Sequence, residues 1–574
     1  MKEGQTITGA EILLEQLSAL GADTIFGYPG GAIMPVYDKL IDFGDRLRHV
    51  LVRHEQGAIH AAQGYARIKG APGFVLVTSG PGATNVITGV ADALIDSTPV
   101  VVIAGQVSSS LLGTDAFQET DLIGLTNPIT KWSYQIRRPE DVAWAVARAC
   151  YIARSGRPGP VVLDFTQDAQ SGLAEYVPAK CDFIRSYVPY PEVDSSLVRK
   201  AAAMIDASSR PFVVYGQGII LSGAEKELKA LLDKGDIPAG STLLGLGTLP
   251  SDDPHMRGML GMHGSIASNV YTQNCDLLIA VGMRFDNRVT GDLSSYAPNA
   301  KIIHIDIDES EIGKNIPVDL GILGDAKMVL SELTKMISPL RRPEWNAFGA
   351  DCDKVEKEKV IALEIEPEEG PITPGEVVAS VAAATGGKAV IVADVGQNQM
   401  LCARYSKFSE PRSFITSGGL GTMGFGLPAA IGAKLAAPSR QVCLFIGDGG
   451  LQMTGQELGT IMQERIPVKI VLLNNNSLGN VRMLQDLFCG GRLSFTKLQN
   501  PDFGMIAAAY GIAFKRVEER DALAGAVSGM LESDRPFILQ VDVLEESYVF
   551  PMVPPGERVD RIMLNKDEWY DGRR

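Results

Sequence analysis

Short apolar runs that end in glycine or a polar residue alternate along this chain with longer stretches whose apolar positions recur at helical spacing. Apolar runs of strand length without in-and-out alternation are what strands buried on both faces require, so the pattern predicts parallel sheets covered by helices. FVLVTSG, VVVIAGQ and PVVLDF read as strands in the first third, and PFVVYGQG, DLLIAVG and KIIHIDID in the middle. AVIVADVG, QVCLFIGDG, VKIVLLN and FILQVDV read as strands in the last part. Two stretches break the rhythm: CDFIRSYVPYPEVDSS from Cys181, rich in proline and aromatics, and the charged DKVEKEKVIALEIEPEEGPITP. They divide the chain into three doubly wound α/β blocks with largely parallel sheets, residues 1–185, 190–345 and 370–574. The first and third read as versions of one architecture, without a residue-by-residue repeat.

A length of 574 residues with 45% hydrophobic content accommodates these blocks as ordinary packed domains. The net charge of -15 is spread along the chain, which argues against a nucleic-acid or anionic-membrane partner and leaves any anionic ligand to find positive charge locally. Seven scattered cysteines without a C-x-x-C pair fit a reduced protein without a zinc site. The polar, then amphipathic MKEGQTITGAEILLEQL is not a signal segment, and no apolar run reaches about 18 residues, so a cytoplasmic, non-membrane protein is expected.

The chemistry concentrates where strands end. QVCLFIGDGG closes on Gly447, Asp448, Gly449 and Gly450, a helical stretch follows, and VKIVLLN then runs into Asn474, Asn475 and Asn476. This strand-helix-strand unit places Asp448 and Asn475 at the carboxyl ends of two parallel strands, where open sheets bind ligands. The glycines admit a close backbone approach, the helix start favours phosphate, and a carboxylate, an amide oxygen and a carbonyl suit Mg²⁺. A lone G-D-G is more often a plain strand-end turn; the pair at this spacing (475 − 448 = 27) is not so easily dismissed. Glu55, in RHEQGAIHAAQGYAR, opens a helix rich in small residues, a position that surface glutamates also favour. TSGGLGTMGFGLPAAIGA holds too many glycines for an efficient isolated helix. The glycines of YGQG, Gly216 and Gly218, fit either a dinucleotide turn or simple strand-to-helix packing.

Gly447-Asp448-Gly449 followed by Asn474-Asn475 resembles the cofactor motif of the thiamine-diphosphate-dependent decarboxylases and carboligases. Over Ile7 to Leu564 the ordered motifs FGYPGGAIMPVYD, TSGPGATN, ADALIDSTPVVVIAGQV, RPGPVVLDF, GMRFDNRVTG and YVFPMVPPG resemble the acetohydroxyacid (acetolactate) synthase catalytic large subunit, of the FAD-containing biosynthetic type. The resemblance implies condensation of two pyruvates to 2-acetolactate with loss of CO₂, or of pyruvate with 2-oxobutyrate to 2-aceto-2-hydroxybutyrate, the first common step of branched-chain amino acid biosynthesis. It implies Mg²⁺ on Asp448, Asn475 and the Ser477 carbonyl, and Glu55 as the carboxyl group that activates the cofactor's pyrimidine. Gly421 and Met423 would support the pyrimidine and the fold between its rings, with Gly396 and Gln397 at the diphosphate. Gly31 would offer an oxyanion N–H, and Phe117 and Gln118 would face the substrate from a partner subunit, although a phenylalanine is more often core packing. FAD would meet Arg157, Gly216, Gly218, Arg284, Arg288, Asp306 and Asp325. A homodimer or tetramer follows, with a regulatory small subunit as a further partner.

Several positions depart from the pattern. Asn480, Met483 and Leu484 stand where the family has Met, Gln and Trp, Gln167 replaces a lysine, Asn398 a histidine, and Asn287 an aspartate of the flavin stretch. Leucine in place of the tryptophan opens the pocket for the second substrate and predicts weaker selection of 2-oxobutyrate over pyruvate. Asn398 is expected still to donate a hydrogen bond toward the diphosphate. The alternatives are a pyruvate oxidase-like flavin enzyme and an inactive paralogue serving as a binding scaffold.

Overall fold

The computed structural model describes residues 2–571. It contains three six-stranded sheets, each wholly parallel. In the first, strands Thr24–Gly27, Arg48–Leu51, Gly73–Val77, Val100–Gln106, Trp132–Ile136 and Pro160–Thr166 lie in the spatial order 2-1-3-4-6-5. The third sheet, from Val390–Ala393, Phe414–Ile415, Val442–Gly447, Lys469–Asn474, Ala513–Val517 and Phe537–Asp542, repeats that order. The middle sheet, from Pro211–Tyr215, Ala239–Ser241, Met256–Met259, Leu277–Val281, Lys301–Asp306 and Leu320–Leu323, has the order 3-2-1-4-5-6 of dinucleotide-binding sheets. All ten predicted apolar runs are strands, buried as parallel sheets require. The strands that escaped the pattern are short, such as Phe414–Ile415, or mixed in polarity, such as Ala513–Val517 with its exposed Lys515 and Arg516.

The first and third sheets meet through equivalent helices, Glu55–Lys69 and Gly426–Ala436, each following the second strand of its sheet. Their approach is reciprocal. A methyl on Gly64 would collide with the Ala429 carbonyl oxygen, and one on Gly432 with the Ala61 carbonyl oxygen. The charged segment before the third block is mostly helix, Ala350–Glu356 continuing through Lys357–Ile361 to Ile365. It turns Cys352, Glu356 and Val360 inward. The buried Glu356 receives Arg404 at 2.6 Å and the Ile266 N–H at 2.6 Å, so the segment fastens the middle domain to the third. Among the described residues no helix is long and apolar enough to cross a membrane.

Candidate active site

Strands Val442–Gly447 and Lys469–Asn474 pair in parallel with Gly447 opposite Leu473, which brings Asp448 and Asn475 to neighbouring strand ends. Asp448 opens helix Asp448–Thr454 and is 1% exposed. Its carboxylate accepts the Gly449 N–H at 2.9 Å and the Asn500 amide at 2.6 Å, with the N–H groups of Asn476 and Ser477 adding to these. Burial outweighs them and raises its pKa. Asn475 Oδ1 accepts the same Ser477 N–H at 3.2 Å, so a carboxylate and an amide oxygen converge on the Ser477 backbone. Asn474 and Asn476 instead complete the strand end: Asn474 donates to Asp542 at 3.0 Å, and Asn476 takes a left-handed φ of 54°. Both accept from Asn500, which no motif signalled.

The glycine loop stands beside this strand end. A methyl on Gly449 would lie 3.8 Å from Met423 Cε, and Gly421 has a φ of 71° that favours glycine. Asp394, fully buried and marked by no motif, accepts the Gly424 and Gly426 N–H groups at 2.9 and 3.0 Å. Burial pushes its carboxyl up to about 6. The same carboxylate leaves no room for a side chain at Gly450. Gly396, at φ 131°, precedes Gln397, which donates to the Ser547 carbonyl at 2.7 Å. Asn398 differs from expectation: its amide donates to the Asp394 and Phe445 carbonyls at 2.7 and 3.1 Å, so both N–H bonds are spent on the backbone and none points to a phosphate.

Glu55 is the first residue of its helix and only 9% exposed, unlike a surface helix-start glutamate. It accepts Asn85 Nδ2 at 2.9 Å. The segment before it is gripped by Glu457, whose buried carboxylate takes the Arg53 and His54 N–H groups at 3.1 and 3.0 Å. Gly31 opens the turn Gly31–Ile33 in open space. Gln118 has a φ of 59°, and Phe117 is 87% exposed, so it is not core packing. Among the described residues no hydrogen bond joins Glu55 to Asp448 or Asn475 within one chain.

A cavity of about 870 Å³ runs from the middle sheet to the glycine loop, reaching Gly421, Asn480 and Leu484. Three family models match in order: the thiamine pyrophosphate enzyme N-terminal TPP binding domain at residues 7–125, the central domain at 198–333 and the C-terminal TPP binding domain at 394–541. The chain is 44% identical over 566 residues to the probable acetolactate synthase large subunit of Methanocaldococcus jannaschii, covering 97% of this chain and 95% of that protein. It is 44% identical over 551 residues to the acetolactate synthase isozyme 2 large subunit of Escherichia coli K12, covering 96% and 98%. The large subunit from Lactococcus lactis is 42% identical over 557 residues, covering 97% and 96%. This chain belongs to the acetolactate synthase large subunits.

Within that family the cavity gathers most residues named for a flavin. Gly218, Arg284, Arg288, Asp306 and Asp325 line it, at the switch point of the middle sheet. Gly216 is buried beneath, packed against the Gly282 carbonyl, so its lack of a side chain serves packing. Arg157 lines the cavity but is held by Asp308 at 3.0 Å and Glu311 at 2.8 Å. Asp325 caps helix Ala326–Met336, and burial pushes the Asp306 carboxyl up to about 6. Asn287 is exposed beside Arg288. Of the positions that depart from the pattern, Asn287, Asn480 and Leu484 stand on the cavity wall. Met483 does not: it is fully buried in the third domain's core, its sulfur accepting the Val549 N–H at 3.3 Å. Gln167 is exposed at the start of helix Gln167–Ser171, away from the cavity wall.

Proposed function

We propose that this chain condenses two pyruvates to 2-acetolactate, and pyruvate with 2-oxobutyrate to 2-aceto-2-hydroxybutyrate, using thiamine diphosphate held through Mg²⁺. The observation that carries the reading is Asp448 and Asn475 at adjacent strand ends, with Ser477 between them, in a chain similar to acetolactate synthase large subunits over nearly its whole length. Thiamine diphosphate supplies a nucleophilic carbon and an electron sink for the departing carboxylate. Asp448, Asn475 and the Ser477 carbonyl hold the metal, and Gly396 and Gln397 lie along the diphosphate. Gly421 and Met423 support the pyrimidine. Glu55, buried and fixed by Asn85, would hold the carboxyl proton that activates the pyrimidine ring. The glycine at 31 offers an N–H to the developing oxyanion, and Phe117 and Gln118 close the pocket from the partner chain. Two copies are required on this reading, because Glu55 of one chain serves the Asp448 of the other. The relatives are named large subunits, which supports a smaller regulatory partner.

The cavity supports FAD. Arg284 has no hydrogen bond or ion pair among the described residues, and the Arg288 guanidinium among them meets only the Met262 sulfur, at 3.0 Å. Two cations without anions in a cleft suit a diphosphate. Product analysis with pyruvate alone and with added 2-oxobutyrate, run beside an oxygen electrode, tests the function. Acetolactate without oxygen uptake is expected; oxygen uptake without carboligation makes the chain an oxidase, and absence of CO₂ release makes it a scaffold.

A further inference from the structure

The glycine loop is not held by its own domain alone. Helix Ile87–Ile95 of the first domain carries Asp92 and ends on Asp96, both at most 1% exposed. Asp92 Oδ1 accepts the Ser417 hydroxyl and, at 3.1 Å, the Thr422 hydroxyl. Asp96 accepts the Gly418 N–H on one oxygen at 2.9 Å and the Gly419 N–H on the other at 2.7 Å. Arg67, from the Glu55 helix, bridges the two sides, donating to Asp96 at 2.8 Å and to the Thr416 carbonyl at 2.5 Å. A methyl on Gly419 would press 2.8 Å from Ile95, so the loop lies directly on this helix.

Residues 416–422 are thus gripped on both flanks, while Leu420, 45% exposed, and Gly421 project into the cavity. Two carboxylates four residues apart, buried with one arginine between them, are a costly arrangement that packing alone does not call for. Asp92 Oδ2 accepts no hydrogen bond of good geometry among the described residues, and burial raises both carboxyls. We propose that Asp92 and Asp96 are positioning residues for thiamine diphosphate: reaching across from the first domain, they fix the 416–422 loop so that Gly421 meets the cofactor in a shape set before binding. The proposal rests on the cofactor reading of that loop. A seven-residue segment with three glycines would otherwise lose its freedom on binding, at the expense of affinity.

The test is calorimetric titration of the apo chain with thiamine diphosphate and Mg²⁺, for wild type, Asp96→Asn, Asp92→Asn and Ser417→Ala. Asn at 96 offers one acceptor where two N–H groups need two, so Kd should rise roughly tenfold or more. The cofactor concentration giving half-maximal rate should rise in step, with a much smaller change in kcat. Hydrogen exchange of 416–424 in the apo variants should quicken while strand Val442–Gly447 stays protected. Should the aspartate variants fail to fold, Ser417→Ala, which removes one arm without touching a charge, carries the same expectation. Variants that melt earlier yet bind the cofactor like wild type would overturn the proposal and leave the pair a domain fastener. A wild-type chain that binds no thiamine diphosphate would overturn the cofactor reading, and the proposal with it.

Discussion

Arg284 lines the cavity without an ion pair among the described residues, whereas Arg157, also in the lining, is held by Asp308 and Glu311. A charge-assisted hydrogen bond to a diphosphate contributes about 1.5–3 kcal/mol, so Arg284→Gln should weaken FAD binding about 10- to 100-fold in a fluorescence titration. An unchanged Kd would remove the arginine from the flavin site. Leu484 lines the same cavity, and Leu484→Trp restores an aromatic wall. Competition between 2-oxobutyrate and pyruvate should then shift toward 2-oxobutyrate by about 1 kcal/mol or more, read from the product ratio. Residue identities told much of this and their surroundings did not. Asn398 looked like a free donor until its amide was found bonded to two carbonyls. Met483 looked like a pocket residue, but its sulfur sits under the Val549 N–H. A side chain's direction depends on neighbours distant in sequence, which no local motif records.

At the scale of elements, the strands that carry Asp448 and Asn475 were legible because both faces are buried and the runs are unbroken. Asp394 and Glu457 were not, since a single acid after an apolar run or inside a helix says nothing about which N–H groups it will reach. Asp394 has a pH consequence. Its carboxyl, ordinarily near 3.8, is pushed up to about 6 by burial, so the folded state keeps the proton longer than the unfolded chain. Its stabilisation is therefore complete below about pH 4 and lost as pH rises to about 6, a swing of about 3 kcal/mol. The melting temperature of wild type relative to Asp394→Asn should fall across that window and level off above it; a constant difference would contradict the assignment. The paired helices give a second expectation. Gly432→Ala places a methyl against the Ala61 carbonyl and should destabilise the chain by about 1–3 kcal/mol or more, measured by thermal melting.

For the whole molecule, the proposed pairing of Glu55 from one chain with Asp448 from the other is open to a mixing experiment, since among the described residues no hydrogen bond joins the two within one chain. Chains carrying Glu55→Gln and chains carrying Asp448→Ala should each be inactive. Unfolded or dissociated and reassembled together, half the dimers are mixed and each mixed dimer has one intact site, so activity should return to about a quarter of wild type. No recovery would mean that each site is built from a single chain. The three-domain division was readable from strand rhythm, and the likeness of the first and third blocks was readable only as an impression. The common strand order 2-1-3-4-6-5 and the reciprocal glycines, Gly64 on Ala429 and Gly432 on Ala61, give that impression a geometric content. Equivalent helices touching through equivalent residues is how two copies of one unit meet around a two-fold axis. A contact of this kind lets each domain cover the other's helix although the whole middle domain separates them along the chain, so cutting the chain between domains should leave the two halves holding together.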